Sequence, residues 1–198
     1  MTLSFAILSI VILIFSIVVH EVAHGWMANV LGDPTAKLSG RLTLNPLPHL
    51  DMVGSILLPG FLILTGSPIL FGWAKPVPYN PYNLQGKLAE LKVAIVGPIS
   101  NVLLAIVFGL LLRAGITPEL TEVFTYGVYI NCALAIFNLV PIPPLDGSKI
   151  LFELLPDKAM AVRESLERSG FVLVIAFVIF GWPLISPLIY GLGKLVIG

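Results

Sequence analysis

Two histidines and a glutamate lie in an apolar stretch near the N-terminus, where charged groups are costly. His20, Glu21 and His24 belong to the run IFSIVVHEVAHGW, residues 14–26. Residues four apart share one face of a helix, so both imidazoles can bind one metal ion, and the glutamate can act on a water bound to it. Ionisable residues inside spanning segments usually face the bundle interior and serve a function. The pattern predicts a metal site with a catalytic carboxylate.

The third ligand of such a site has one outstanding acidic candidate, Asp146. A catalytic zinc typically takes three protein ligands and leaves a fourth position for water. Asp146 belongs to NLVPIPPLDG, residues 138–147, where prolines end an apolar helix and leave the carboxylate at membrane depth. A buried carboxylate needs a partner, and a cation supplies one. The other candidates are His49 and Cys132, and an ordinary Asp-Gly turn at the membrane interface is the alternative for Asp146.

The composition is that of an integral membrane protein. Hydrophobic residues make up 57% of the 198 residues, charged residues only 11%, and the mean hydropathy is +0.99. A soluble domain would carry about 25% charged residues. The formal net charge is zero and gives no reason to expect a nucleic-acid partner, whereas the lipid bilayer is the expected surrounding. A single cysteine excludes an intramolecular disulfide.

Long apolar runs predict about four transmembrane helices in an all-α polytopic membrane protein. A span needs about 20 mostly apolar residues. Residues 3–31, 93–112, 122–144 and 171–193 meet this requirement. The last run is interrupted by Gly-Trp-Pro at 181–183, which predicts a kink or a break into two half-helices.

A fifth apolar run, residues 52–71, has two interpretations. Its glycines and prolines favour a re-entrant segment over a full span. In the re-entrant topology nine of the eleven Lys and Arg residues share one face and only Arg113 and Lys194 lie opposite, whereas a full span divides them four to seven. The positive-inside rule then places the charged face in the cytoplasm and the N-terminus outside. This topology makes the first and third spans parallel, which brings both histidines and Asp146 toward the cytoplasmic side of the cell membrane.

In two of the segments expected on the cytoplasmic side, the spacing of apolar residues predicts secondary structure. Residues 36–46, AKLSGRLTLNP, alternate apolar and polar side chains and predict a short exposed strand. Residues 156–170 have apolar side chains at helical spacing and predict an interfacial amphipathic helix with Asp157 as a possible N-cap and Gly170 as its end. No internal repeat is present, so residues 1–198 are expected to form a single membrane-embedded domain, with C-terminal amphipathic and spanning helices over 156–193.

Together these motifs resemble the site-2 protease family of intramembrane zinc metalloproteases. The resemblance rests on HEVAH in an N-terminal membrane helix, followed much later by NLVPIPPLDG, which has the pattern NxxPxPPLDG. The stretches GRLTLNPLPHLD (40–51), GWAKPVPYNP (72–81) and GPISN (97–101) are similar to the compact prokaryotic branch that has no PDZ or CBS domain. The resemblance covers roughly residues 15–150.

The resemblance implies a function and a ligand set. One Zn²⁺ per chain would be bound by His20, His24 and Asp146, and Glu21 would be the catalytic general acid/base. The expected reaction is hydrolysis of peptide bonds within or near the transmembrane segment of a membrane-protein substrate. A metal transporter and an inactive relative are the competing classes; the first leaves Glu21 unexplained, and the second would be expected to have lost a motif residue.

Two asparagines are the next polar residues inside apolar runs. Asn101 and Asn138 are each expected to donate to a tetrahedral oxyanion or to hold a metal ligand in place. Hydrogen bonding to a neighbouring helix is the alternative for both. An exposed edge at residues 37–44, or the segment 52–71, is the candidate for holding a substrate extended by strand addition. His49 and Asp51 are expected either to flank the cavity or to form a turn capped by Asp51.

Overall fold

The computed structural model describes residues 3–65, 72–115, 117–156 and 160–198, and over these ranges the regular structure is entirely helical. Four of the described helices are long and apolar enough to cross a membrane: Leu3–Val30, Ala89–Ala114, Pro118–Asn138 and Val162–Ile197. The predicted all-α fold with about four spans is confirmed.

The α-helices are numbered in chain order. They are α1 (Leu3–Val30), α2 (Thr35–Leu38), α3 (Leu58–Leu64), α4 (Ala89–Ala114), α5 (Thr121–Asn138), α6 (Asp146–Leu154), α7 (Met160–Ala176) and α8 (Trp182–Ile197). A π-helical turn, Met52–Leu57, leads into α3, and a second, Phe177–Gly181, joins α7 to α8. The second turn ends where the sequence predicts an interruption, but the helix continues through it instead of separating into two halves.

Helix α4 is the centre of the bundle and packs against α1, α5, α6 and α8. A buried cluster joins three of these helices: Ala105 on α4, Val128 and Cys132 on α5, and Ile185 and Ile189 on α8. Membrane helices lack a hydrophobic driving force for association and therefore pack through close contact of small side chains. Cys132 is 0% exposed within this cluster, as expected for a small core residue.

The predicted boundary at Gly170 is wrong. Helix α7 runs through Gly170, and residues Val162–Ile197 form one continuous helical element. A Cβ at Gly170 would lie 2.9 Å from the Pro143 carbonyl carbon, so glycine serves here to let α7 approach the proline-rich loop before α6. Asp157, the expected N-cap, lies outside the described residues.

The predicted strand over residues 36–46 is also wrong. Thr35–Leu38 is the short helix α2, and residues 39–46 form bends and turns with no strand in the described ranges beside them. A lone extended segment has no ladder partner, and alternation by itself cannot supply one. The edge expected at 37–44 for strand addition is therefore absent.

The buried carboxylate of Asp33 organises this loop. It accepts hydrogen bonds from the Thr35 hydroxyl at 2.6 Å, the Asn80 N–H at 2.7 Å and the Asn83 amide at 2.9 Å. Burial by itself would raise the pKa of the Asp33 carboxyl, but these donors favour the ionised form and hold its pKa below the usual value. Asp33 thus fastens the loop after α1 to the segment that precedes α4.

The two described ends of the fifth apolar run are hydrogen-bonded to each other. The Trp73 N–H donates to the Gly54 carbonyl at 3.1 Å, and the Ser55 hydroxyl donates to the Trp73 carbonyl at 2.8 Å. Asp51 accepts the N–H groups of Val53 and Gly54 and caps the π-helical turn. Residues 66–71 lie outside the described ranges. The residues on either side of the undescribed segment therefore lie next to each other.

Candidate metal centre

Three side chains from two distant parts of the chain converge in the interior. The Nε2 atoms of His20 and His24 on α1 lie 3.0 Å apart, and each lies 3.1 Å from Oδ2 of Asp146, the first residue of α6. All three residues are buried, with at most 6% of their surface exposed. Tetrahedral zinc with ligand distances of about 2.0–2.1 Å separates its ligand atoms by about 3.3 Å. The triangle of donor atoms is therefore slightly smaller than a zinc ion requires, and a small outward shift of the side chains would accommodate the metal.

The chain places Asp146 here by ending one helix and starting another. Helix α5 ends at Asn138, and a proline-rich loop carries the chain to the start of α6. Gly147 allows the start of α6 to pack closely against this loop, since a Cβ there would overlap the Leu139 carbonyl. Asp146 in the first turn of α6 also interacts favourably with the positive end of the helix dipole. Asp146 is buried and lies in a helix, which disfavours the alternative of an ordinary Asp-Gly turn at the membrane interface.

The outer nitrogens of both histidines face main-chain or amide oxygens. His20 Nδ1 lies 2.7 Å from Asn101 Oδ1, and His24 Nδ1 lies 2.6 Å from the Val93 carbonyl oxygen. An oxygen acceptor requires a proton on Nδ1, which leaves the Nε2 lone pair directed inward. Two imidazole lone pairs and a carboxylate oxygen then face one another, and no N–H or O–H group of the described residues lies between them to form a hydrogen bond. This donor set fits a divalent cation.

Gly97 provides the space for the imidazoles. It lies on α4 opposite the two histidines, and a Cβ at this position would overlap the His24 Nε2 and Cε1 atoms and crowd the His20 ring. The GPISN motif thus contributes both this gap and Asn101 to the site.

Asn101 lies behind His20, away from the cavity. It is 0% exposed, and its Nδ2 donates to Asn131 Oδ1 at 3.0 Å. Asn131 in turn donates to the Ser16 hydroxyl at 2.9 Å and to the Gly127 carbonyl at 2.9 Å. Of the two roles expected for Asn101, this position favours holding a metal ligand over contact with an oxyanion. Asn131 was not among the predicted residues, although it is likewise an asparagine inside an apolar helix.

Asn101→Ala is expected to weaken zinc binding by about 10- to 100-fold, since outer partners of metal-bound histidines have effects of this size. The substitution leaves His20 Nδ1 without its acceptor, so the inward lone pair is no longer enforced. Zinc affinity can be measured by competition with a chelator of known strength. Asn138→Ala removes an amide whose Nδ2 bonds only its own helix, at the Leu134 carbonyl, and should leave zinc affinity unchanged. Equal zinc affinity in the Asn101 variant and the wild type would contradict the assignment.

Glu21 borders a small cavity beside the three candidate ligands. The cavity has a volume of about 100 Å³, enough for about three waters. Its walls also include Pro76, Val77, Tyr79, Asn138 and Lys149. One carboxylate oxygen of Glu21, Oε2, accepts the Val77 N–H at 2.8 Å. Glu21 is therefore held at a polar cavity that adjoins the metal site.

Lys149 is a cavity residue that the sequence reasoning missed. Its Nζ lies 3.6 Å from Asp146 Oδ1 and 5.4 Å from the centre of the Tyr79 ring. The only signal in the sequence was its spacing of three residues from Asp146 on α6, where side chains share a face. The two other candidates for the third metal ligand lie away from the site. His49 bonds the Thr43 carbonyl oxygen, and Cys132 lies in the core.

Comparison with known proteins agrees with this geometry. The family model described as peptidase family M50 matches residues 114–180. The Bacillus subtilis protein named "Putative zinc metalloprotease YwhC" is 37% identical over 192 residues, which cover 91% of this chain and 83% of that protein. "Putative zinc metalloprotease Rip2" of Mycolicibacterium smegmatis is 29% identical over 170 residues, covering 84% of this chain and 64% of Rip2. No solved structure matches the chain significantly.

These likenesses confirm the resemblance that the motifs suggested. A relative at 37% identity that aligns along nearly the whole chain establishes the family, and the names of the relatives agree with the donor set at the metal centre. With four spanning helices around that centre, the chain belongs to peptidase family M50, the site-2 proteases, as a multi-pass membrane zinc metalloprotease.

Proposed function

We propose that this protein is an intramembrane endopeptidase that hydrolyses peptide bonds within or near the transmembrane segments of membrane proteins. His20, His24 and Asp146 bind zinc, and Glu21 is the general acid/base. The observation that carries the proposal is the convergence of three buried donor atoms and Glu21 inside a bundle of apolar helices. A protease active site in this position acts on substrate that lies in the membrane.

Each residue has a defined task in the reaction. Zinc, when bound, supplies Lewis-acid activation of water and of the scissile carbonyl. Glu21 takes a proton from the attacking water and delivers it to the leaving amide nitrogen, so that the C–N bond breaks as a free amine departs. The Val77 N–H on Oε2 keeps the carboxylate oriented toward the cavity. Asn138 and Lys149 line the same cavity, and each carries N–H groups that can donate to the oxygen of the reacting carbonyl.

The metalloprotease is oriented with its active site toward the cytoplasmic side of the cell membrane. Nine of the eleven Lys and Arg residues share one face when residues 52–71 form a re-entrant segment. The hydrogen bonds that join Gly54, Ser55 and Trp73 support that topology, since they keep both ends of the segment together. Water and product then exchange with the cytoplasm, and the substrate enters from the bilayer.

The proposal is tested by reconstituting the zinc-loaded protein in liposomes with a set of single-span reporter proteins. We expect at least one reporter to be cut, with mass spectrometry placing the cut inside or next to its apolar segment. A soluble peptide of the same cleavage sequence is the control, and we expect it to be cut more slowly. Cleavage of soluble peptides alone would overturn the intramembrane assignment while leaving a metalloprotease.

A further inference from the structure

Arg41 is a buried cation whose contacts the proposed reaction does not yet use. It lies in the GRLTLNP stretch and is only 7% exposed. Within the described ranges it forms no ion pair with an acidic group; instead its Nη2 donates to the Lys75 carbonyl at 2.7 Å and to the Pro76 carbonyl at 3.3 Å. Burying a guanidinium is costly, and these contacts offset only part of the cost, because the buried Nε has no hydrogen-bond partner within the described ranges. Here the two donor contacts both go to consecutive main-chain carbonyls.

The residue that follows these carbonyls holds Glu21. The Val77 N–H donates to Glu21 Oε2 at 2.8 Å, and Pro76 and Pro78 on either side have no N–H of their own. Val77 also packs tightly against α1, because a Cβ at Gly25 would lie 2.7 Å from Val77 Cγ1. The segment 75–77 is therefore fixed against α1 at Glu21 and Gly25, each of which directly follows one of the two proposed histidine ligands.

We propose that Arg41 is a positioning residue for Glu21 and acts through the main chain of residues 75–77; this rests on the proposed function. By holding the Lys75 and Pro76 carbonyls, Arg41 fixes the direction of the Val77 N–H. That N–H holds Oε2 of Glu21, which leaves Oε1 available to carry the proton at the cavity. Without Arg41 the segment can relax, and the carboxylate loses its fixed orientation. A displacement of about 1 Å in a catalytic group is enough to cost about 100-fold in rate.

The first test is steady-state kinetics of Arg41→Ala in the full-length, zinc-loaded protein. We expect kcat to fall about 100-fold, while KM and zinc affinity stay within about threefold of wild type, since no ligand is touched. Millimolar methylguanidine should restore part of kcat by occupying the space that the side chain vacates. Arg113→Ala is the matched control: Arg113 also donates to main-chain carbonyls, those of Val196 and Ile197, but far from the site, and its loss should leave kcat unchanged.

The second test reports the contact itself and needs no substrate. Hydrogen–deuterium exchange can be measured on the peptide that contains residues 75–79. Both neighbours of Val77 in the chain are prolines without an exchangeable amide proton, so few other amides contribute to the signal. We expect faster exchange at Val77 in both Arg41→Ala and Glu21→Ala than in the wild type. Unchanged exchange in either variant would overturn the proposal, whatever the kinetics show.

The outcomes separate this inference from the proposed function. Failure of the zinc-loaded wild type to cut any membrane reporter would overturn the function. Full activity in Glu21→Gln would overturn the role of Glu21 and with it that of Arg41, whereas an inactive Glu21→Gln beside a fully active Arg41→Ala would overturn only the role of Arg41. A parallel loss of zinc and of kcat in Arg41→Ala, with no rescue by methylguanidine, would also overturn it, as a merely structural role predicts that result. If Arg41→Ala does not fold, Arg41→Met takes its place, since methionine keeps much of the side-chain volume but has no N–H donor. Faster Val77 exchange and lower kcat support the role, and wild-type values of both overturn it.

Discussion

Glu21→Gln is expected to lower kcat by about 1,000-fold or more while the protein still binds zinc. General acid–base catalysis contributes about 10²–10⁴-fold, and the amide of glutamine can neither accept the proton from water nor return it to the leaving nitrogen. The substitution keeps the size of the side chain, and the glutamine oxygen can still accept the Val77 N–H that bonds Oε2 at 2.8 Å. Zinc content by elemental analysis and kcat on a cleaved reporter measure the two quantities independently.

The control for this variant is Glu122→Gln. Glu122 is an exposed glutamate in the first turn of α5, far along the helix from Asn138 at the cavity, so the same chemical change should leave kcat at the wild-type value. Wild-type turnover in Glu21→Gln would show that the proton is carried by another group. Among the described residues that line the cavity, Tyr79 and Lys149 are the titratable ones besides Glu21 and the three proposed ligands. Loss of zinc from Glu21→Gln would instead indicate that Glu21 is a ligand.

The grouping of the two histidines with Asp146 was predictable because it depends on residue types and on their spacing within short motifs. His20 and His24 share a helix face by their separation alone, and Asp146 follows prolines that end an apolar helix at membrane depth. Their convergence needed one further step, the parallel arrangement of two spans. The distances of 3.0–3.1 Å among the three donor atoms agree with that arrangement.

The surroundings of the site were not predictable, because they depend on contacts between distant segments. Asn131 lies 30 residues from Asn101 and Arg41 lies 34 residues from Lys75, and no local pattern pairs them. The same limit explains the wrong boundary at Gly170: a glycine in a helical pattern indicates either an end or a close contact, and only the neighbouring Pro143 decides between them. The expected strand failed for the corresponding reason, since alternation does not reveal whether a partner strand exists.

The site thus depends on two sets of supporting contacts with different chemistry. Inside the bundle, Asn101 and Asn131 form a buried amide chain that orients His20. At the other side of the cavity, the main chain near Val77 orients Glu21. Changes in the first set should appear chiefly as zinc affinity, and changes in the second chiefly as turnover. Measuring zinc affinity and turnover separately therefore distinguishes the proposed zinc ligands from the proposed base, Glu21.

Asp146→Ala is expected to lower zinc affinity by about 1,000-fold. If an apparent zinc binding free energy of about 10–16 kcal/mol is divided among three ligands, each contributes about 4 kcal/mol. The loss is large here because His20 and His24 alone leave two Nε2 lone pairs only 3.0 Å apart without a negative charge to offset the cation. Chelator competition measures the affinity, and the shift of Tm on adding zinc should be present in the wild type and absent in the variant.

Asp51→Ala is the matched control, because Asp51 also lies at the start of a helical segment but bonds the N–H groups of Val53 and Gly54 instead of a candidate ligand. It should bind zinc as the wild type does. Full zinc affinity in Asp146→Ala would require another third ligand. His49 bonds the Thr43 carbonyl oxygen, so Glu21 would be the nearest replacement. Glu21 would then be occupied by the metal and unable to carry a proton, and the proposed catalytic mechanism would fail together with the ligand assignment.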